Sequence, residues 1–230
     1  MGLAICHRLT QLGARATCIG DYNMSNEATI VKDLQKHGSD TEILTTQLNV
    51  ASSSSVNAWY SRIISKYGAL DGVVNSAGVA QKVGGREQPE LLGETDEEWE
   101  RIMGINLNGV FFSTRSAAKA MVALPKAPRS IVNIASLAAW LNSPGVYAYS
   151  TSKRAVAGLT PSMAKDLQPF GIRLNTILPC MSIPCMQPSV CQSHNIPRDR
   201  TDNFLLQPLH PRPCLANSSI CPRMERCHQL

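Results

Sequence analysis

A tyrosine, a lysine and a serine form the most informative combination of residues in this sequence. Lys153 follows Tyr149 by four positions, and Ser136 precedes Tyr149 by thirteen. Because positions i and i+4 of a helix share a face, the phenol oxygen and the ammonium nitrogen can point to one place. A cation there favours phenolate over phenol, which lets a tyrosine give or take a proton near neutral pH. The trio predicts a general acid or base, although such a pair also occurs by chance on many helices.

The hydrophobic pattern around these residues alternates between helices and strands. Helical spacing predicts helices over 3–12, 25–37, 53–67 and 149–168. The capping box Thr95-x-x-Glu98 opens a further helical region that runs to Val122 with a break near Gly109. Short apolar runs predict strands over 16–19, 42–50, 70–75, 130–136 and 172–178. This order predicts an α/β fold, a Rossmann-like doubly wound parallel sheet with right-handed crossovers.

Polar residues follow several of these strands. Asp21, Asn75 and Ser136 each stand at the carboxyl end of a predicted strand, and Tyr149 stands at the start of the next helix. Asn106 lies on the long helix beside them. Ligands of doubly wound sheets bind outside the carboxyl ends of the strands, so we expect these side chains to meet at one edge. Each has an alternative role when taken alone: Ser136 and Asp21 as cap or turn residues, Asn106 as a core amide.

Composition narrows the possible functions. A chain of 230 residues suits one well-buried domain, and its net charge of +5 is too mild to predict a nucleic-acid surface. No apolar run approaches the roughly 20 residues of a membrane helix, and the first residues lack a signal-peptide core. A cytoplasmic protein without a membrane segment is expected. Six of the eight cysteines fall after residue 179 without zinc-ligand spacing, so no metal site is predicted.

The regular pattern stops after Pro179. Residues 180–230 are rich in proline, cysteine, serine and histidine, with neither helical nor strand periodicity. We therefore predict one domain over residues 1–179 and an irregular or disordered tail over 180–230.

Five short motifs occur in order along the first 179 residues. They are Asn75-Ser76-Ala77-Gly78, Asn106-Leu107-Asn108-Gly109, Ser136, Tyr149-x-x-x-Lys153 and Asn175-x-x-x-Pro179. In this order and spacing the chain resembles the classical short-chain dehydrogenase/reductase family. The resemblance implies that Tyr149 is the general acid or base toward an alcohol or carbonyl substrate and that Ser136 binds the same oxygen. It also implies that Lys153 supports the tyrosine and holds the nicotinamide ribose, and that Asn106 supports a water that relays protons.

The same resemblance implies an NAD(P) cofactor and a set of residues that bind it. That set is Gly2, Asp21, Asn49, Val50, Asn75, Ala77, Gly78, Tyr149, Lys153 and Pro179. A carboxylate at the end of the second strand of this fold accepts hydrogen bonds from the adenosine ribose and repels a 2′-phosphate. Asp21 therefore favours NAD over NADP. Asn49 stands where the family usually has an acidic residue near adenine, and its role stays open between binding and structure.

The sequence departs from the family pattern at both ends. Gly2 fits only the last glycine of the family's Thr-Gly-x-x-x-Gly-x-Gly turn, so the first strand and most of the phosphate-binding turn are expected to be missing by truncation. Cys180 replaces the glycine expected after Pro179, and the tail does not look like the family's substrate loop.

Two functions remain open at this point. One is an oxidoreductase that interconverts an alcohol and a ketone or aldehyde by hydride transfer. The other is a catalytically inactive fragment that acts as a binding or scaffold protein through the helix faces around 95–122 and 149–168. By resemblance, these faces would form a homodimer or homotetramer.

Overall fold

The computed structural model describes residues 1–37, 40–82, 89–141 and 144–179. Within these ranges, five strands alternate with six α-helices: α1 (Gly2–Gln11), β1 (Ala16–Asp21), α2 (Glu27–His37), β2 (Glu42–Gln47), α3 (Ser53–Tyr67), β3 (Gly72–Asn75), α4 (Asp96–Met103), α5 (Gly109–Ala123), β4 (Arg129–Ile134), α6 (Tyr147–Leu167) and β5 (Ile172–Ile177). None of the described helices is both long and apolar enough to cross a membrane. The predicted tail over 180–230 lies outside the described residues.

Local sequence signals explain several helix ends. The Thr95 hydroxyl accepts a hydrogen bond from the Glu98 N–H at 3.2 Å, as the cap of α4. The Ser52 hydroxyl caps α3 in the same way through the Ser55 N–H at 3.3 Å. α3 ends at Gly68, whose φ of 61° is a left-handed conformation that favours glycine.

All pairs among the described strands are parallel, and they form two sheets rather than one. β1 pairs with β2, while β4 lies between β3 and β5 in a three-stranded sheet. β1 and β3 are not hydrogen-bonded to each other, and a cavity of about 700 Å³ borders residues of both strands. Val74 in β3, which is an edge strand of the three-stranded sheet, is 37% exposed as a result.

The main hydrophobic core joins the two sheets through α3, α5 and α6. Val56 and Ile63 of α3 pack with Met121 of α5 and with Ile131 and Leu174 of the three-stranded sheet. A second, smaller cluster lies nearer the site, where Val156 of α6 packs with Val110 of α5 and with Ala135. These layers hold the carboxyl ends of β3 and β4 next to the first turns of α6.

The α/β prediction is confirmed, with three corrections to local boundaries. α6 begins at Tyr147, so Tyr149 is its third residue rather than its first. β4 ends at Ile134, and Ser136 instead caps the short 3₁₀ turn Leu137–Ala139. The break predicted near Gly109 is a π-helical segment over Gly104–Asn108, which carries Asn106 into the interior.

Candidate functional site

Lys153 is a buried cation that is hydrogen-bonded to the main chain of β4. Its side chain projects from α6, the residue is 5% exposed, and its Nζ donates to the carbonyl oxygen of Ile134 at 3.0 Å. Burial lowers the pKa of this amine from its usual 10.5 to about 8. An ammonium has three donors, so the bond to Ile134 leaves two for a ligand or a neighbouring oxygen.

Tyr149 lies next to this lysine on the same helix face. The lysine nitrogen is 5.9 Å from the centre of the Tyr149 ring, and the tyrosine is partly exposed. The predicted i, i+4 pair is therefore formed.

Ser136 stands just beyond β4, at the carboxyl edge of the sheet. Its Oγ accepts a hydrogen bond from the Ala138 N–H at 3.2 Å, so the serine does cap the following turn. A hydroxyl has one donor and two acceptor lone pairs, and this bond uses one acceptor. Among the described residues, no acceptor is found for the Ser136 O–H. The carbonyl of Pro179 accepts from the Leu137 N–H at 3.0 Å and holds the same turn.

Asn106 is fully buried and ties the site to the loop after β3. Its Oδ1 accepts from the Val79 N–H at 2.8 Å, and its Nδ2 donates to the Val79 carbonyl at 3.0 Å. The same Nδ2 lies 3.3 Å from the Ser152 hydroxyl. The amide thus clamps the main chain beside Gly78, where a Cβ would lie 3.2 Å from Asn106 Oδ1 and 3.3 Å from Lys153 Nζ. Glycine at 78 allows this close approach. The proton relay inferred for Asn106 stays a prediction.

Asn75 belongs to a buried polar network beneath the site. Its Nδ2 donates to Asn133 Oδ1 at 2.8 Å and to Thr114 Oγ1 at 3.1 Å, and its Oδ1 accepts from the Ser113 hydroxyl at 2.5 Å. Asn133 in turn donates to Thr160 of α6 at 3.1 Å. The Asn75 amide therefore fixes β3, β4, α5 and α6 relative to one another.

The start of α1 lies at the carboxyl edge of the sheet. A Cβ on Gly2 would lie 2.8 Å from the Ser76 hydroxyl, so the glycine allows the helix to begin against the turn after β3. α1 has no side-chain cap and no acidic residue in its first turn. The unpaired N–H groups and the positive end of the helix dipole suit an anionic group such as a diphosphate.

The remaining predicted cofactor residues follow β1, β2 and β3. Asp21 is exposed, and its Oδ1 accepts from the Asn23 N–H at 2.9 Å. The Oδ1 of Asn49 accepts from the Ala51 N–H at 3.1 Å and forms a local turn. Val50 lies against Gly109, where a Cβ would come within 2.9 Å of it, and Ala77 is exposed beside Ser76. Gly2, Asp21, Val50, Asn75 and Ala77 all border the 700 Å³ cavity. The residues present thus fit a dinucleotide at this edge.

Two residues that hold the site together were not predicted from the sequence. Gln81 Oε1 accepts from the main-chain N–H of Tyr149 at 3.0 Å, and the Ser152 hydroxyl donates to the Tyr149 carbonyl at 2.7 Å. Ser152 follows Tyr149 by three residues on the same helix face, a spacing that could have identified it. Gln81 is distant in the sequence, and its type carries no such signal. Within the described ranges, no group of three or more histidine, cysteine, aspartate or glutamate residues could hold a metal ion.

Comparison with known proteins assigns this arrangement to a family. The family model for short chain dehydrogenases matches residues 1–193, past the end of the regular sequence pattern at 179. Chanoclavine-I dehydrogenase of Claviceps purpurea (strain 20.1) is 42% identical over 188 residues, which cover 82% of this chain and 72% of the relative. Chanoclavine-I dehydrogenase of Penicillium roqueforti (strain FM164) is 42% identical over 179 residues, covering 78% of this chain and 69% of the relative.

Solved structures give the same result. A 3-oxoacyl-[acyl-carrier protein] reductase from Brucella melitensis, in complex with NAD, is 27% identical with a TM-score of 0.74, covering 84% of this chain and 73% of that one. A xylitol dehydrogenase with NAD⁺ bound is 27% identical with a TM-score of 0.69, covering 78% of this chain and 65% of that one. These neighbours support a nicotinamide cofactor.

Proposed function

Because the chain belongs to the short chain dehydrogenase family, we propose that it interconverts an alcohol and a ketone or aldehyde by hydride transfer, with Tyr149 as general acid or base. One observation carries the proposal: a buried lysine, anchored to the Ile134 carbonyl, lies on the same helix face as a partly exposed tyrosine. A buried ammonium stabilises a neighbouring phenolate more strongly than an exposed one would.

The residues of the chain divide the chemistry between them. Tyr149 exchanges a proton with the substrate oxygen, and the Ser136 O–H donates to the same oxygen as negative charge develops there. Lys153 stabilises the phenolate from the buried side and has donors left for a ribose hydroxyl. A nicotinamide cofactor bound at this edge would supply or accept the hydride.

We infer NAD rather than NADP from the position of Asp21. Its carboxylate ends β1 and is exposed, with Oδ2 left as an acceptor after Oδ1 binds the Asn23 N–H. A 2′-phosphate at this place would meet a second negative charge. NADH should therefore bind more tightly than NADPH in fluorescence titrations, and Asp21→Ser should reduce the difference. Equal affinities in the unaltered chain would contradict this assignment.

For the substrate, we propose chanoclavine-I as the first compound to test. The support is the identity of 42% to two relatives that bear the name chanoclavine-I dehydrogenase. Turnover is followed as NADH formation from chanoclavine-I and NAD⁺.

Tyr149→Phe tests the role of the phenol. It should lower kcat by at least about 10²-fold, since general acid–base catalysis typically contributes a factor of this size. The affinity for NADH should stay within about twofold. Tyr147→Phe removes a phenol two residues earlier and should keep activity. Full turnover by Tyr149→Phe would refute the proposed role.

A second candidate is a family member that does not bind its cofactor and acts as a scaffold. The missing hydrogen bonds between β1 and β3 favour it, because each of these strands leads into residues expected to bind the dinucleotide and no pairing of the described strands joins the two parts of that site. NADH titration of the chain separates the two candidates: micromolar binding supports the enzyme, and its absence supports the scaffold.

A homodimer or homotetramer formed through α4, α5 and α6 is part of the proposal. Trp99 of α4 and Val122 of α5 are exposed apolar residues on these helices, at 38% and 44%. Light scattering coupled to gel filtration tests it, and a monomer at micromolar concentration would contradict it. The cytoplasmic location stays a prediction.

A further inference from the structure

The first turn of α6 lacks a cap from its own neighbourhood in the sequence. The helix begins at Tyr147 after Val146, which makes no side-chain cap hydrogen bond, and the first turn has no acidic residue. The first N–H groups of a helix have no partner within the helix, and an N-cap side chain normally serves the second or third of them. Tyr149 is the third residue of α6, so its N–H is one of these groups.

Gln81 serves that N–H from a distant part of the chain. Its Oε1 accepts from the Tyr149 N–H at 3.0 Å, and its Nε2 donates to Glu94 Oε2 at 2.5 Å. The donor bond to Glu94 fixes which end of the amide faces the helix, because a carboxylate can only accept. Gln81 is 6% exposed, so water competes little for either bond.

The loop that carries Gln81 is held at residues on both sides of it. Val79 is clamped by the Asn106 amide through two hydrogen bonds, and the Ala80 carbonyl accepts from Arg101 at 3.3 Å. The Lys82 N–H donates to Glu98 at 3.3 Å. Hydrogen bonds to the main chain at Val79, Ala80 and Lys82 therefore hold the backbone of Gln81 in place.

The carbonyl of Tyr149 also accepts a side-chain hydrogen bond. It accepts from the Ser152 hydroxyl at 2.7 Å, and that hydroxyl lies 3.3 Å from Asn106 Nδ2. Gln81 of the Val79–Lys82 loop thus holds the Tyr149 N–H, and the hydroxyl that reaches the Tyr149 carbonyl contacts the amide that clamps the same loop.

We propose that Gln81, oriented by Glu94, is a positioning residue that caps α6 and fixes the Tyr149 phenol relative to Lys153 and Ser136. The proposal rests on the function proposed above for Tyr149. A displaced phenol loses alignment with the substrate oxygen while substrate binding elsewhere is unchanged, so the effect falls on kcat rather than on KM.

Three variants test the pair. Gln81→Leu removes both hydrogen bonds at similar size, and Gln81→Glu keeps an acceptor but places two carboxylates in contact. Gln81→Glu combined with Glu94→Gln exchanges the two side chains, so that an amide at position 94 donates to a carboxylate at position 81, which still accepts from the Tyr149 N–H. Thr41→Val is the matched control: it removes a buried hydrogen bond from Thr41 to the Ala14 carbonyl, 2.7 Å long, at the amino ends of β1 and β2.

Turnover of chanoclavine-I with NAD⁺ is the first readout. Gln81→Leu and Gln81→Glu should each lower kcat by roughly 10- to 100-fold with KM within about twofold, because small misplacements of reacting groups cost on this scale. The exchanged double variant should return kcat to within about threefold of the original, and Thr41→Val should leave kcat unchanged. Unchanged kcat in Gln81→Leu, failure of the exchange to rescue, or an equal loss in Thr41→Val would each overturn the proposal.

Hydrogen exchange of the Tyr149 amide gives a second readout that needs no substrate. Its exchange rate should rise at least about fivefold in Gln81→Leu, as expected for the loss of a cap worth about 1 kcal/mol, and return in the exchanged variant. A chain without chanoclavine-I turnover but with this exchange pattern would refute the proposed substrate and keep the cap. If the original chain turns over chanoclavine-I but the exchange rate of the Tyr149 amide is the same in Gln81→Leu, the cap is refuted and the proposed function is kept.

Discussion

The Nζ of Lys153 lies 3.0 Å from the carbonyl oxygen of Ile134, at the end of β4. The bond brings a cation into the protein interior, where burial lowers its pKa to about 8. A buried charge in this position lowers the free energy of unfolding, so the arrangement of the site reduces the stability of the protein.

Lys153→Met should therefore stabilise the protein at neutral pH while it abolishes turnover. The pKa of the lysine is about 8 in the folded state and 10.5 when unperturbed, so burial of the charge costs about 3 kcal/mol below pH 8. Methionine also loses the hydrogen bond to Ile134, which costs about 1 kcal/mol. The free energy of unfolding should therefore rise by about 2 kcal/mol in the variant.

The gain should depend on pH with a definite sign. Between pH 8 and 10.5 the unfolded state of the original chain binds more protons at this lysine, so its stability rises with pH and the advantage of methionine shrinks. Urea unfolding at pH 7, 9 and 10.5 measures this, with the exposed Lys119→Met as the control. If Lys153→Met is less stable than the original chain at pH 7, the buried ammonium does not destabilise the folded state.

Gly78→Ala tests how closely the loop after β3 approaches the site. The added methyl would lie 3.2 Å from Asn106 Oδ1 and 3.3 Å from Lys153 Nζ. The lysine can move away, but the Asn106 amide is fixed by the main chain of Val79. We expect kcat to fall by at least about tenfold with a stability loss near 1 kcal/mol, since the site is displaced rather than unfolded.

Gly158→Ala is the matched control for this substitution. A Cβ at Gly158 of α6 would meet nothing within 4 Å. Alanine should stabilise that helix by about 0.5–1 kcal/mol without an effect on kcat. If Gly78→Ala behaves in the same way as Gly158→Ala, the contact at Gly78 has no role in catalysis.

Features that depend on local pattern and short spacing could be predicted from the sequence. The alternation of helices and strands, the Thr95 cap and the Tyr149–Lys153 face follow from residues a few positions apart. The structure also confirms that Asp21 ends a strand. These features depend on residue propensity, helix capping and helical geometry, all of which are local. They can therefore be predicted from the sequence without knowledge of tertiary contacts.

Contacts between distant segments could not be predicted in this way. Gln81 meets Tyr149 across 68 positions and Asn75 meets Asn133 across 58, and neither residue type indicates its partner. The sequence pattern predicts a break near Gly109, whereas the structure has a π-helical segment at Gly104–Asn108, which no residue type marks in the sequence.

Asn133→Ala should be one of the most destabilising polar substitutions in the chain. Asn133 is fully buried and accepts from Asn75 and Thr114 while it donates to Thr160. Its removal leaves several buried groups without partners, and we expect a loss of about 2–4 kcal/mol. Urea midpoints measure the change. An exposed amide, Gln47→Ala, should cost less than about 0.5 kcal/mol, and equal losses in the two variants would show that the network adds nothing.

Tyr60→Phe should lower stability at neutral pH and raise it at high pH. The buried Tyr60 hydroxyl lies 2.8 Å from the Ser113 hydroxyl, and loss of this bond should cost about 1 kcal/mol at pH 7. Burial raises the pKa of Tyr60 from 10 to about 12. The folded state therefore binds its phenol proton more tightly than the unfolded state, and the original chain loses stability as pH rises from 10 to 12, by about 2.7 kcal/mol in all.

Phenylalanine has no proton to lose, so the two stability curves should cross between about pH 10.5 and 11, where the ionising phenol has cost the original chain the roughly 1 kcal/mol that its hydrogen bond contributes. Urea unfolding of both proteins at pH 7, 10 and 11 measures the crossing. A constant difference between them over this range would mean that Tyr60 ionises as readily in the folded protein as in the unfolded one, and that its burial between α3 and α5 does not shift its titration.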